Sequence, residues 1–285
     1  MGLHAGLRVM GGKSHRKELR KRFAGPDWFA SGLAVAALGL LAGFISIPLV
    51  SLLIWTVDHK AWSAMASPVA RQALALSART TSISMGILIL FGTPTAYILS
   101  RARFKGARAL NTLMELPVVL PPSAAGIALL LAFGRMGLLG SGFSAFGIEL
   151  SFTTAAVVMA EVFVAAPFYV RQAATGFAGV ERSAEEAALV DGATKSGAFF
   201  RVSVPLAFPA LVSGAILAWA RALGEFGATI IFAGNFRGVT QTVPLAIYTV
   251  FQSNINAAVA LSVLVLGFAF AVILSVRYLT GRSAG

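Results

Sequence analysis

Residues 181–209 read ERSAEEAALVDGATKSGAFFRVSVPLAFP and form a polar stretch in an otherwise apolar chain. Within eleven positions they hold five charged residues: Glu181, Arg182, Glu185, Glu186 and Asp191. The whole chain, by contrast, is 57% hydrophobic and 12% charged. Long apolar segments lie on both sides of the stretch, which indicates a loop between helices that cross a membrane.

The composition around this loop is typical of a membrane protein. Mean hydropathy is +0.81 over 285 residues, and the apolar residues occur in runs long enough to cross about 30 Å of hydrocarbon as helices. We predict an all-α integral membrane protein whose transmembrane domain covers residues 29–285. Six transmembrane helices are predicted, at 29–57, 80–100, 110–133, 152–174, 205–232 and 256–279.

The residue types limit the chemistry that this chain can perform alone. It has no cysteine and three histidines, all before residue 60, so neither a disulfide framework nor a Cys/His metal site is expected. GGKS at 11–14 matches the tail of a P-loop, but Leu7 stands where that motif requires glycine. We therefore expect no catalytic residues, metal or bound cofactor here, and any ATP must be used by a separate subunit.

The basic residues indicate the orientation. A formal net charge of +12 could suggest nucleic acid, but Lys and Arg cluster at the ends of apolar runs, as in loops held in the cytoplasm. We expect the lipid bilayer, and not nucleic acid, as partner, with both termini cytoplasmic. KSHRKELRKR at 13–22 precedes an apolar stretch too long for a signal-peptide core. Residues 1–28 are therefore expected to be a basic cytoplasmic tail before an uncleaved span.

The loop at 181–204 contains signals for two short helices. Ser183 and Glu186 have the spacing of a capping box, which predicts a helix that starts there. Gly192 is expected to end this helix, and Thr194 can cap a second one. Pro205 suits the first turn of the span that follows. The pattern predicts a cytoplasmic helix-turn-helix, which could be an ordinary solvated loop or a docking element for another protein.

The spacing in this loop favours docking. EAA at 186–188, Gly192 and VSVP at 202–205 resemble the E-A-A-x3-G-x9-I-x-L-P loop of permease subunits of ABC importers, with valine at the Ile and Leu positions. Independently of that resemblance, small alanines allow close helix approach and an acidic face can pair with a basic cleft. The resemblance implies that a cytoplasmic ABC ATPase subunit is coupled through Glu186, Ala187, Ala188, Asp191, Gly192, Val204 and Pro205.

Two further segments resemble the molybdate permease subunits of ABC importers. They are LPPSAAGIALLLAFGRMGLLG at 120–140 and ARALGEFGATIIFAGNFRGVTQTVPLAIYTVFQ at 220–252. Sulfate permease subunits share ALGEFGA and AGN, whereas TQTVPLAIY at 240–248 favours molybdate. The resemblance implies a homodimeric permease in the inner cell membrane, two ATPase subunits that use ATP, and an extracytoplasmic oxyanion-binding protein. Tungstate import and a sulfate or thiosulfate permease remain alternatives.

Charged residues also lie within the predicted spans. Arg221 and Glu225 are four residues apart on one helical face, and each would cost roughly 2.5–3.5 kcal/mol at the bilayer centre if unpaired. They could form an ion pair, or line or gate an aqueous path. Glu115 and Glu161 are further candidates for that path, and Arg221 is a possible partner for either of them.

Two other classes of function use the same residues differently. In an ion-driven secondary transporter, Arg221, Glu225 and Glu161 would form a relay, and inverted repeats with matching broken helices would be expected. The sequence shows no such pairing between its halves. A membrane enzyme or receptor is the third class, but no nucleophile and base pair is apparent. Between Asn235 and Asn256, hydroxyl and amide groups suit either a solvated loop or a path that holds a dianion weakly.

Overall fold

The computed structural model describes residues 32–59, 61–101 and 105–281. The predicted basic tail at 1–28 lies outside these residues. Those that are described form helices joined by short loops, with no β-strand among them, which confirms the all-α class. Five helices are long and apolar enough to cross a membrane, and a bent pair of helices makes a sixth candidate.

The chain divides into two units, 1–54 and 55–285. In the first unit the structure describes most of helix α1 (Gly32–Asp58), which corresponds to the predicted span 29–57. Large apolar side chains project from it, and Leu40 and Phe44 are each 76% exposed. Such a surface is typical of a helix that lies in lipid.

After the end of α1, the second unit continues with α2 (Trp62–Met65) and a long span. This span is formed by α3 (Pro68–Ile87), a π-helical turn (Leu88–Gly92) and α4 (Thr93–Arg101). The predicted start of this span at residue 80 was wrong. Helix α3 begins at Pro68, and the Ser67 hydroxyl accepts a hydrogen bond from Ala70 N. Four polar residues of α3 are buried in the bundle: Ser77, Thr80, Thr81 and Ser84.

The predicted span at 110–133 is broken. It consists of α5 (Ala107–Val119) and α6 (Pro122–Phe133), which meet at an angle of 116°. Pro121 and Pro122 cause the break, because proline lacks an N–H and disfavours helical backbone in the residue before it. Leu120 is accordingly extended, at φ −67° and ψ 130°.

Helices α7 (Gly140–Ala145) and α8 (Thr154–Ala178) follow, and α8 confirms the predicted span at 152–174. Next come α9 (Arg182–Val190), α10 (Lys195–Ala198), a second π-helical turn (Phe199–Ser203) and α11 (Val204–Leu223). The remaining helices are α12 (Gly227–Phe232), α13 (Val243–Phe251) and α14 (Ile255–Gly281). Helix α14 confirms the predicted span at 256–279.

The predicted span at 205–232 is also broken, between α11 and α12. Gly224 follows the last turn of α11, and Phe226 has the non-helical backbone angles φ −130° and ψ −53°. Helix α13 lies where the sequence analysis expected a loop, with Pro244 in its first turn. Two of the six predicted spans are therefore interrupted.

Helix α8 lies at the centre of the second unit and packs against α3, α4 and α11. Small residues allow α8 and α11 to approach closely. A Cβ atom added at Gly176 would lie 2.4 Å from Ala210 Cβ, and one added at Gly214 would lie 3.1 Å from Gln172 Cβ. The core around them includes the fully buried rings of Tyr169 and Phe177.

Candidate functional site

Residues 182–203, which we call the elbow, comprise α9, the turn at Gly192, α10 and the second π-helical turn. The predicted capping box was wrong. Glu181 is the N-cap residue of α9, with extended backbone at φ −64° and ψ 132° and no side-chain cap. Ser183 therefore lies inside the first turn, where its hydroxyl contacts Glu181 Oε2 at 3.2 Å. Helix α9 nevertheless covers the predicted EEAALV segment.

The turn in the elbow forms as predicted. Gly192 has φ +89°, a left-handed conformation that favours glycine. Gly192 N donates to Leu189 O at 3.1 Å and Ala193 N donates to Ala188 O at 2.9 Å, which is the Schellman pattern that closes a helix. Thr194 Oγ1 then accepts from Gly197 N at 3.0 Å. The second helix continues through the π-helical turn into α11, with Pro205 in the first turn of α11.

Glu185 ties the elbow to the transmembrane helices. Its Oε1 accepts hydrogen bonds from Arg101 Nη2 at 2.7 Å and from Ser203 Oγ at 2.8 Å, and its Oε2 accepts one from Tyr97 OH at 3.3 Å. Arg101 Nη2 also donates to Val180 O at 3.0 Å. One carboxylate therefore joins α9 to the end of α4, to the loop after α8 and to the start of α11.

The sequence analysis did not select Glu185 as a site residue. Glu185 and Glu186 are adjacent, and only the position of Glu185 on the inner side of α9 distinguishes them. Arg101 is one of four basic residues at 101–108, so the sequence alone did not mark it as the partner of Glu185. Beneath Glu185, the Tyr97 ring packs edge-on against Phe199 and Phe177, with centroids 4.8 and 5.4 Å apart.

The environment of Glu185 holds its carboxyl ionised. Burial raises the pKa of this carboxyl, but the hydrogen bonds from Ser203 and Arg101, the Arg101 charge and the Tyr97 hydroxyl together outweigh burial and leave the pKa below its ordinary value. The Arg101 and Glu185 side chains are 17% and 14% exposed. Because the pair is shielded, it is screened less by water than a surface ion pair.

The outer side of α9 has a different character. Glu186, Ala187, Asp191 and Gly192 are exposed, whereas Ala188 and Val204 are half-buried. Next to them Leu189 is 41% exposed and Val190 is 87% exposed. An apolar tip with acidic neighbours, on a helix outside the membrane-spanning segments, is typical of a surface that another protein covers.

Arg221 and Glu225 form the ion pair that their spacing allows, with Arg221 Nη2 2.8 Å from Glu225 Oε2. The pair bridges the break between α11 and α12. Arg221 lies in the last turn of α11, where the helix dipole favours a cation. Glu225 Oε1 accepts from Ala228 N at 2.7 Å in the first turn of α12, where the dipole favours an anion. The Glu225 side chain is 1% exposed.

Glu161 is buried on α8 and is bound by hydroxyl groups. Thr80 Oγ1 donates to Glu161 Oε1 and Ser84 Oγ donates to Oε2, each at 2.7 Å. The suggested pairing of Arg221 with Glu161 or Glu115 was wrong, because Arg221 pairs with Glu225 across the helix break. Glu115 is instead exposed on α5, in a groove that it shares with Arg171.

The two broken spans meet each other. A Cβ atom added at Gly227 would lie 2.6 Å from Pro122 Cβ, and one added at Gly126 would lie 2.8 Å from Ala228 O. Helix α12 therefore packs directly on the first turns of α6. Neither helix break was predicted, although the Pro121–Pro122 pair is a sufficient signal for the first.

The expected polar loop after residue 235 is partly internal, whereas Gln252, Ser253 and Asn254 are exposed. Thr240, Gln241 and Thr242 are buried; Thr240 Oγ1 accepts from Phe236 N at 2.9 Å, and Gln241 Nε2 donates to Asn235 Oδ1 at 3.0 Å. Among the described residues, no cluster of His, Cys, Asp and Glu could hold a metal ion.

The fold and the elbow together define a multi-pass membrane protein with a short exposed helix, α9, outside its candidate spans. Residues 88–284 match the family described as "Binding-protein-dependent transport system inner membrane component". The chain belongs to this family, which favours a permease over the ion-driven carrier and the membrane enzyme.

Similar proteins are known from bacteria and archaea. The chain is 44% identical to the molybdenum transport system permease protein ModB of Mycobacterium bovis over 235 residues, 82% of this chain and 88% of that protein. It is 31% identical to the molybdate/tungstate transport system permease protein WtpB of Pyrococcus abyssi over 217 residues, 76% of this chain and 81% of that one. Its fold is similar, at TM-score 0.65 and 16% identity, to a bacterial alginate ABC transporter in complex with an alginate pentasaccharide-bound periplasmic protein; the match covers 93% of this chain and 96% of that one.

Proposed function

We propose that this chain is the permease subunit of an ATP-driven importer that carries molybdate or tungstate across the cell membrane. The observation that carries the proposal is the 44% identity to a molybdenum transport permease over 82% of the chain. The relative at 31% identity is named for both oxyanions, so tungstate stays within the proposal. A sulfate or thiosulfate permease is the alternative, on the basis of the shared ALGEFGA and AGN segments.

The proposed partners follow from the family and from the elbow. A cytoplasmic ABC ATPase subunit hydrolyses ATP, and this chain binds no cofactor itself. The exposed outer side of α9, with Glu186, Ala187, Asp191 and the apolar Val190, docks in a cleft of that subunit. An oxyanion-binding protein delivers cargo from outside the cell. Two copies of this chain assemble in the inner membrane, with their termini in the cytoplasm.

The contacts of Glu185 suggest how movement is transmitted. When the ATPase closes on ATP, α9 moves with it. Because Glu185 is bonded to Arg101 on α4 and to Ser203 before α11, a displacement of α9 pulls on both transmembrane helices at once. Arg221 and Glu225 keep α11 and α12 aligned across their break, and the buried Glu161 holds α8 to α3. In this account Glu186 makes the outer contact and Glu185 the inner one.

The proposal is tested by reconstitution in liposomes with the cognate ATPase and binding protein. We expect ATP-dependent uptake of labelled molybdate that excess tungstate inhibits and excess sulfate does not. Glu186→Ala is expected to reduce co-purification of the ATPase, with Ser196→Ala in the same elbow as the matched control. Uptake of sulfate that is insensitive to molybdate would overturn the assignment of cargo.

A further inference from the structure

A groove of about 270 Å³ with a mixed polar and apolar lining lies between α4, α5 and α8. Its lining includes an acid, a base and neutral polar groups: Glu115, Arg171, Asn111, Ser100 and Thr175. Glu115, Arg171 and Asn111 are exposed. Within the described part of the chain, neither Glu115 nor Arg171 has an ion-pair partner.

This groove is unsuited to lipid contact. Glu115 lies in the middle of α5, which forms the first half of a membrane-spanning pair of helices, and Arg171 lies within α8. An ionised side chain that faces hydrocarbon is costly, and such residues face a protein partner or water instead. Arginine can extend along a helix toward the headgroups, but the glutamate side chain is too short to do so.

The other large groove of the second unit has the opposite character. It measures about 460 Å³, and its lining is almost wholly apolar, including Ile89, Leu90, Phe200, Phe208 and Val212. Lipid acyl chains can cover that surface because it has no charged group to desolvate. The α4–α5–α8 groove differs in that its charged side chains need water or a protein partner.

We propose that a second copy of this chain covers the groove, with Glu115 of each copy paired to Arg171 of the other. A two-fold interface is self-complementary, so that residue i meets j and j meets i. Glu115 and Arg171 have no ion-pair partner among the described residues. A two-fold copy of the same face would supply the opposite charge to each of them. The inference rests on the proposed homodimeric permease and adds the face by which the two copies meet.

The absence of cysteine from the chain makes a direct test possible. Two differently tagged chains, one with Glu115→Cys and one with Arg171→Cys, are co-expressed with the ATPase and treated in membranes with a short bifunctional thiol reagent. We expect a cross-linked product that carries both tags. Chains with Arg135→Cys and Glu149→Cys, an exposed pair 3.8 Å apart within one chain, serve as the matched control and should give no product between copies.

Charge reversal provides a second test. Glu115→Arg or Arg171→Glu alone places like charges opposite each other and is expected to lower the yield of assembled dimer by about tenfold. The double variant, Glu115→Arg with Arg171→Glu, should restore assembly. If a dimer forms without the 115–171 cross-link and tolerates either charge reversal, the groove is not the dimer interface. That result would leave the proposed function intact. Purification with a different permease, and never with a second copy, would instead overturn the homodimer itself.

Discussion

Glu185 and Glu186 are neighbours in α9, but one is held by hydrogen bonds and the other is exposed. Glu185 is held by three side chains of the bundle, whereas Glu186 is exposed beside it. Consecutive residues of a helix are about 100° apart around its axis, so only one of the two can face the bundle. The two residues therefore have different roles: Glu185 fixes the elbow to the bundle, and Glu186 remains available to a partner.

Glu185 should make the stability of the permease depend on pH. Because its folded pKa is lowered, it contributes stability above the unfolded carboxyl value of about 4.3, and that contribution is lost as pH falls through the lowered folded value. Glu185→Gln is expected to cost about 1–2 kcal/mol at pH 7. Thermal unfolding in detergent should show this difference shrinking as the pH falls below the unfolded carboxyl value of about 4.3. Glu186→Gln is the control, and an equal cost there would contradict the assignment.

The pair of Arg221 and Glu225 is expected to be structural. Arg221→Ala leaves a buried carboxylate without its partner and should cost about 3–5 kcal/mol, which appears as a loss of folded protein. Adding Glu225→Gln removes the charge but keeps an acceptor for Ala228 N, so the double variant should recover most of the yield. With alanine at both 221 and 225, the free energy of unfolding should be about 1 kcal/mol lower than in the Arg221→Ala, Glu225→Gln variant, because Ala228 N loses its acceptor.

Size-exclusion yield and uptake should be scored separately for these variants. If the double variant folds normally but has no transport activity, the pair acts in the path and not as a structural link.

At the scale of helices, the left-handed turn of the elbow is the position most sensitive to substitution. Space is open around Gly192, because a Cβ atom there would meet nothing within 4 Å. Gly192→Val should lower the free energy of unfolding by about 1–2 kcal/mol through backbone strain alone. Gly192→Asn should cost less, since asparagine tolerates this conformation. Co-purification of the ATPase measures the effect, and equal retention by both variants would show that the turn is not required for docking.

The sequence predicted local features better than it predicted breaks. Gly192 and Thr194 were identified correctly because their signals depend on immediate neighbours. The breaks at 120–121 and 224–226 were missed because hydropathy averages over a window and does not register where a helix stops. Glu185 was missed for a related reason, since its partner Arg101 is remote in sequence.

At the scale of the whole molecule, the elbow and the bundle form one mechanical system. Glu185 connects α9 to the ends of two transmembrane helices, α12 rests on α6, and the polar groove at Glu115 is covered by a second copy. In such a molecule, transport requires the partner ATPase. This expectation agrees with the family, which is named for its dependence on a binding protein.

Uptake of labelled molybdate into proteoliposomes, with ATP and a proton gradient imposed separately, tests this account most directly. We predict uptake only when ATP, the ATPase and the oxyanion-binding protein are all present, and a strong reduction with Glu186→Ala. A collapsed gradient should leave the rate unchanged. Uptake driven by the gradient without ATP would contradict the account.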